Sequence, residues 1–107
     1  MKGGFVEEIR RILRSIPRGK VTTYKELSLA LGWEKGWRKV ARMLSANPEP
    51  INVPCHRVVC SDGKVGGYKL GVRKKIELLK SEGVEIRNGK VNLKKHLLRL
   101  CHSARSL

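Results

Sequence analysis

The sequence predicts a small, mainly α domain with short β elements, organised around a helix-turn-helix of winged-helix-like form. Three observations lead there. Apolar residues recur at helical spacing in the first 16 positions. A capped helix, a glycine-containing turn and a second helix ended by proline follow. Finally, Asn88-Gly89 sits between two short apolar stretches, the local signature of a β-hairpin.

Each element has its own reason. Phe5, Val6, Ile9, Ile12, Leu13 and Ile16 fall at steps of one, three and four, which lays a single apolar stripe along a helix. Pro17-Arg18-Gly19 ends it, and a short strand is expected over Lys20 to Thr22. Thr23-x-x-Glu26 reads as a capping box opening a helix that runs through Leu31 to Gly32. The spacing predicts a further helix from Trp37 to Ala46, stopped at Asn47-Pro48 because proline cannot continue the hydrogen-bond ladder. A proline-punctuated stretch then delivers Cys55-His56-Arg57 to a strand over Val58 to Cys60, and Ser61-Asp62-Gly63 is a turn. A helix is expected over Val72 to Ser81, with Val72, Ile76 and Leu79 inward and Gly83 as its stop. After the hairpin, Leu93, Leu97 and Leu100 keep helical spacing to the end of the segment.

With 107 residues, 40% of them hydrophobic, the chain has material for one core. No apolar run exceeds three residues, which excludes a membrane-spanning helix, and Glu7-Glu8 interrupts anything resembling a signal peptide. Three cysteines, none at C-x-x-C spacing, speak against a disulfide framework or a structural zinc site and for a reducing cytosolic compartment, so a cytoplasmic, nucleoid-associated protein is expected. The formal charge is +15, from 24 Lys and Arg against 9 Asp and Glu. Such an excess in a compact chain points to a polyanion, above all nucleic acid. Arg87, Lys90, Lys94, Lys95, Arg99 and Arg105 face no acid over the last stretch, either a phosphate clamp or a solvated surface.

The segment that asks for a chemical explanation is Pro54-Cys55-His56-Arg57. A thiol is nucleophilic only when ionised, and an adjacent imidazole can accept its proton. Neighbouring residues on a strand point to opposite faces, so His56 serves Cys55 only if the backbone turns between them. On these residues alone a buried structural cysteine is the commoner reading, since most lone cysteines are structural and Cys-His adjacency is a weak signal.

A larger pattern now emerges. Ile16-Pro17-Arg18-Gly19-Lys20-Val21-Thr22-Thr23-Tyr24-Lys25-Glu26-Leu27 is followed by Asn47-Pro48-x-Pro50-Ile51-x-Val53-Pro54-Cys55-His56-Arg57-Val58-Val59. Gly66-Gly67-Tyr68 and Leu78-Leu79-x-x-Glu82-Gly83 come next. In order and spacing this text closely resembles the C-terminal, active domain of the O6-alkylguanine-DNA alkyltransferases (methylated-DNA–protein-cysteine methyltransferases). The resemblance implies a helix-turn-helix alkyltransferase fold and a protein that flips O6-alkylguanine out of duplex DNA. The alkyl group would pass irreversibly to Cys55, once per molecule, with no cofactor and no metal. The partner implied is double-stranded DNA, entered from the minor groove by the second helix, with the protein a monomer and no membrane involved.

Residue by residue, Cys55 resembles the acceptor, His56 the base that takes its proton through a water, and Glu82 the carboxylate that orients the imidazole. Tyr24 resembles the tyrosine that donates toward guanine N3, and Asn47 the asparagine that braces the turn carrying the cysteine. Arg38 resembles the arginine that fills the vacated space in the base stack. Arg57, Val58, Gly66, Gly67, Tyr68 and Lys69 fall where the family contacts substrate and forms its guanine pocket, and Ala41 and Arg42 fall on the helix that meets DNA. The chain departs from the family at Trp37 and Arg42, where alanine or glycine is usual, and at Lys69, where serine is often found. Residues 1–86 are expected to form the DNA-binding and active domain, and 87–107 a basic hairpin and helix packed on it. Cys60 is expected to be a strand cysteine, and Cys101-His102 an exposed pair. Two other readings stay open: a non-catalytic alkyltransferase-like lesion sensor that recruits excision repair, and a basic architectural DNA-binding domain with an idle thiol. Sensors of that kind commonly carry another residue, often tryptophan, where Cys55 stands.

Overall fold

The computed structural model describes residues 2–46 and 54–100, with side chains from Glu7 onward. Helix α1 (Lys2–Arg14) leads to strand β1 (Thr22–Thr23), helix α2 (Tyr24–Ala30) and helix α3 (Trp37–Ser45). A single 3₁₀ turn (Cys55–Arg57) enters strand β2 (Val58–Val59). Helix α4 (Val72–Ser81), a hairpin of β3 (Ile86–Arg87) and β4 (Lys90–Val91), and the short helix α5 (Leu93–His96) follow among the described residues. Among the described residues no helix is long and apolar enough to cross a membrane.

The helix-turn-helix is held by short-range polar bonds. Thr23 lies in extended backbone as the α2 cap, and its Oγ1 accepts the Glu26 N–H at 3.0 Å. In the turn, Ser28 Oγ donates to the Trp33 carbonyl at 2.6 Å and accepts the Gly36 N–H at 2.9 Å, which sets the angle between α2 and α3. The strands β1 and β2 pair in parallel, Thr22 with Val58 and Thr23 with Val59, so α2 and α3 form the crossover between them. The first strand therefore begins two residues later than expected and ends one later, and Val21 before it makes only an isolated bridge to Leu97.

This two-stranded sheet divides the core, because alternate strand residues face opposite ways. Val58 joins Leu13, Ile16, Leu27, Val40, Leu44 and Cys55 on one side. Val59 joins Val21, Val65, Leu79, Val84 and Val91 on the other. The hairpin forms as expected, antiparallel, with Asn88 and Gly89 at φ +53° and +74° in the turn.

Two expectations are overturned. Val72 was placed inward on α4 but is 48% exposed, because Lys75 takes the buried face instead. Its ammonium donates to the carbonyls of Val58 at 2.7 Å and Gly67 at 3.0 Å, joining α4 to β2 and to the loop after it. The helix expected through Leu100 stops at His96. There Val21 N–H donates to the His96 carbonyl and Leu98 N–H to Val21, and strand-like pairing outcompetes the helical spacing. Leu98 and Leu100 pack on the first core, and Glu26 accepts the Leu100 N–H at 3.1 Å. Deleting everything after Glu85 strips Val91 from the second core and these leucines from the first. Burial of one such side chain stabilises by about 1.5–3 kcal/mol. Thermal unfolding of the truncated chain is expected at least about 4 °C below the full chain, and an unchanged Tm contradicts the packing.

Candidate functional site

Cys55 opens the 3₁₀ turn, and this turn supplies the change of direction that an extended chain lacks. The thiol is buried, at 5% exposure, yet it lines a cavity of about 210 Å³. Tyr24, Ala41, Gly67, Tyr68 and Lys69 share that lining, so five of the expected substrate positions converge on the sulfur. Leu44 and Ser45, at the end of α3, line it as well and were not foreseen. Drug-sized pockets run from about 300 to 1,000 Å³, so this one suits a single planar base.

His56 follows and turns away from the cavity wall into the interior, its side chain 2% exposed. Its Nε2 lies 2.9 Å from Glu82 Oε2. Nε2 then carries the proton and donates, which leaves the Nδ1 lone pair as an acceptor. Among the described residues no protein group bonds Nδ1. The Tyr68 ring stands edge-on to the imidazole at 6.3 Å between centroids.

Glu82 sits just past α4, and three donors converge on it. Besides His56, Arg57 Nε donates to Oε1 at 3.0 Å and Arg57 Nη2 to Oε2 at 2.8 Å, a fork-on-fork pair. Arg57 Nη1 reaches the Ile16 carbonyl at 2.6 Å. Arg57 was expected on the substrate side; its guanidinium is committed instead to the carboxylate and to the end of the first helical segment. Burial pushes the Glu82 carboxyl up, but the bonds from Arg57 and His56 outweigh it and hold it below the usual carboxylate range. Burial also dominates at His56 and holds the imidazole below its usual 6.5 despite the pull of Glu82. The pair is thus a neutral imidazole against an ionised carboxylate at neutral pH.

The phenols complete the wall. Burial, reinforced by the nearby cysteines, pushes Tyr24 up to about 12, and burial with Cys55 and Glu82 does the same to Tyr68. Both remain hydrogen-bond donors across the physiological range. Gly66 lies under Tyr24 and beside Cys60: a Cβ there would meet Cys60 Sγ at 3.2 Å and the Tyr24 ring at 3.5 Å, at φ +78°. Val58, expected in the guanine pocket, is fully buried and paired in the sheet, where its carbonyl takes Lys75 rather than a ligand. Burial brings Lys75 down to about 8. No sequence expectation included this lysine. The signal was present, since it lies four residues before Leu79 on the stripe that otherwise buries apolar groups. Cys60 lies just beyond β2 and, like Cys55, is in no disulfide. Arg38 and Arg42 stand exposed on α3, and Asn47, like Cys101 and His102, lies outside the described residues.

The acid response of this arrangement has a definite sign. His56 binds its proton less readily folded than unfolded, so stability is full above about 6.5 and falls as the pH drops below it. Glu82, held low when folded, adds stability above about 4.5 that is lost at lower pH. Tm measured from pH 7.5 to 4 is expected to fall in two stages. Replacing His56 with Gln removes the first stage; persistence of that stage in the variant refutes the assignment.

Fold and site together define a helix-turn-helix DNA-binding domain with a thiol, an imidazole and a carboxylate aligned behind a base-sized cavity. The chain belongs to the 6-O-methylguanine DNA methyltransferase family, whose DNA-binding domain it matches over residues 4–84. It is 47% identical over 87 residues to the methylated-DNA–protein-cysteine methyltransferase of Methanothermobacter thermautotrophicus, covering 78% of this chain and 48% of that one. The crystal structure of the O6-methylguanine-DNA methyltransferase of Pyrococcus kodakaraensis superposes with a TM-score of 0.68 at 42% identity, over 75% of this chain and 46% of that one. Schizosaccharomyces pombe Atl1, in complex with damaged DNA containing O6-carboxymethylguanine, superposes with a TM-score of 0.81 at 27% identity, over 92% of this chain and 97% of its own. The chain thus spans less than half the length of these two methyltransferases and nearly all of Atl1.

Proposed function

We propose that this domain is the active domain of a DNA alkyltransferase and moves the alkyl group of O6-alkylguanine irreversibly to Cys55. One observation carries the reading: the thiol faces a base-sized cavity while the imidazole beside it keeps an unbonded acceptor nitrogen and a carboxylate partner. The Cys55 proton passes to His56 Nδ1, relayed by a water. The thiolate attacks the alkyl carbon in line, the sulfur–carbon bond forms and the carbon–O6 bond breaks. The electron pair leaves on guanine, where the Tyr24 hydroxyl, donating toward N3, stabilises it until the relayed proton neutralises the base. Glu82 holds the imidazole in the tautomer that can accept. Gly67, Tyr68 and Lys69 flank the base. Asn47 is proposed as the brace of the cysteine turn, on the resemblance alone.

Duplex DNA is the proposed partner, with α3 in the minor groove, Arg38 in the vacated stack and Ala41 permitting close approach. Residues 1–86 and the segment from 87 onward are taken as one unit, the latter covering apolar surface of the former. The exposed cations Lys25, Lys35, Arg38, Lys39 and Arg42 line the helix pair. Affinity for duplex is therefore expected to fall with salt at about 0.9 log units per log unit for each phosphate neutralised. Replacing Arg42 with alanine is expected to lower that slope by about one contact. An affinity flat in salt argues against groove binding.

Similarity to Atl1 along nearly its whole length supports a second reading, a lesion-binding protein that transfers nothing. Intact-protein mass after exposure to an O6-methylguanine duplex separates the two. One methyl added per molecule supports transfer, and tight binding with unaltered mass supports the sensor.

A further inference from the structure

A second cavity lies on the far side of Tyr24. Among the described residues Tyr24, Lys25, Trp37, Cys60 and Ser61 line it, and at about 350 Å³ it is larger than the cavity at Cys55. Tyr24 is the wall common to both. The transfer chemistry leaves this space unused, since neither Cys55, His56 nor Glu82 reaches it.

Its lining indicates an occupant. Trp37, in the first turn of α3, is 40% exposed. The other tryptophan behaves differently: Trp33 packs on the core beneath Lys39, whose Nζ stands 4.6 Å from its ring centroid. An indole left open at the mouth of a cavity is a stacking face, and every nucleobase offers it a π surface. Lys25 is exposed at the same rim, and Arg38 follows Trp37 directly on the helix. Positive charge at the rim with an aromatic wall inside matches a nucleotide, phosphate outward and base inward. The shared Tyr24 wall makes that nucleotide a neighbour of the base held at Cys55.

We infer that the Trp37 cavity is a stacking subsite for a nucleotide flanking the extruded one, its base against the indole and its phosphate against Lys25. This rests on the proposed entry of the damaged base beside Cys55. The subsite makes Trp37, where the family usually carries a small residue, a device for gripping the duplex next to the lesion.

The test pairs protein variants with altered DNA. The 107-residue chain as wild type, Trp37→Ala and Trp37→Phe is titrated against an O6-methylguanine duplex and against duplexes with one abasic site at each position flanking the lesion. Wild type is expected to lose about tenfold in affinity at one flanking position. Trp37→Ala is expected to lose a similar factor on intact duplex and to ignore that abasic site, while Trp37→Phe keeps most of the sensitivity. Lys25→Ala is expected to lower the salt slope by about one contact. Equal abasic losses in wild type and Trp37→Ala at every position, or wild-type affinity in Trp37→Ala with an unchanged Tm, overturn the subsite. Alkylation of Cys55 in the wild-type protein, read by mass on the same samples, reports on the transfer reaction separately. Coupling without alkylation therefore leaves the subsite standing and removes the reaction, and alkylation without coupling does the reverse.

Discussion

Replacing Cys55 with alanine is expected to abolish alkyl transfer altogether, with no mass gain on the protein after any length of exposure to an O6-methylguanine duplex. The loss is total rather than partial because no other described thiol lines the cavity: Tyr24 and Tyr68 hold their protons up to about 12, and Ser45 Oγ donates to the Arg42 carbonyl rather than to an imidazole. Cys60 lies on the other side of Tyr24 and lines the second cavity only. Losing a buried sulfur of this size costs little packing, so the variant is expected to fold, which its Tm checks. Glu82→Gln is the informative companion. It keeps an oxygen for His56 but removes the charge that steadies the imidazolium formed during transfer. Removal of general-base support commonly slows a reaction by about 10²–10⁴. A slow but complete methylation of Cys55 is therefore expected in that variant. Methylation of the Cys55→Ala protein, or a Glu82→Gln rate equal to wild type, contradicts the assigned chemistry.

The legible parts of the fold are those written in short-range signals. Thr23 and Glu26, three residues apart, decide a helix start, and Asn88-Gly89 decides a hairpin within two positions. The run Val72–Ser81 has both the expected ends, since each is set by neighbours in sequence. The misread parts depend on partners far along the chain. Leu97 has helical spacing, but it bridges to Val21, and no local pattern reports that a distant strand edge needs covering. Lys75 resembles a surface cation until two carbonyls, from β2 and from the Gly67 loop, are brought around it. The candidate site divides the same way. Adjacency of Cys55 and His56 is visible as chemistry, but it leaves open whether the thiol is structural. Resemblance to a known family pointed to Glu82, 26 residues away from His56. What neither route conveyed is that Arg57, adjacent to the pair, binds that carboxylate through two of its guanidinium nitrogens. Spacing cannot show which of several cations a buried acid will meet.

Replacing Arg57 with methionine is expected to destabilise the protein by about 3–5 kcal/mol, the cost of leaving one partner of a buried ion pair without the other. Both side chains are well inside, 13% and 8% exposed, so solvent screens the pair little. The consequence for Glu82 has a clear direction. Burial alone drives its carboxyl upward, and the Arg57 bonds are the first of the influences that reverse this. Without them the acid takes up its proton at higher pH, and acid unfolding begins correspondingly earlier than in wild type. His56 then faces a carboxylate that is only partly ionised, so transfer slows most at the acid end and recovers as the pH rises. At least about 10 °C of Tm is expected to be lost at neutral pH. The double variant Arg57→Met with Glu82→Gln separates pairing from packing: once the acid has no charge to strand, part of the lost stability returns, while the transfer rate does not. A single variant within about 0.5 kcal/mol of wild type is the result that rules out this pair as the brace of the relay, since changes of that size are ordinary for exposed positions.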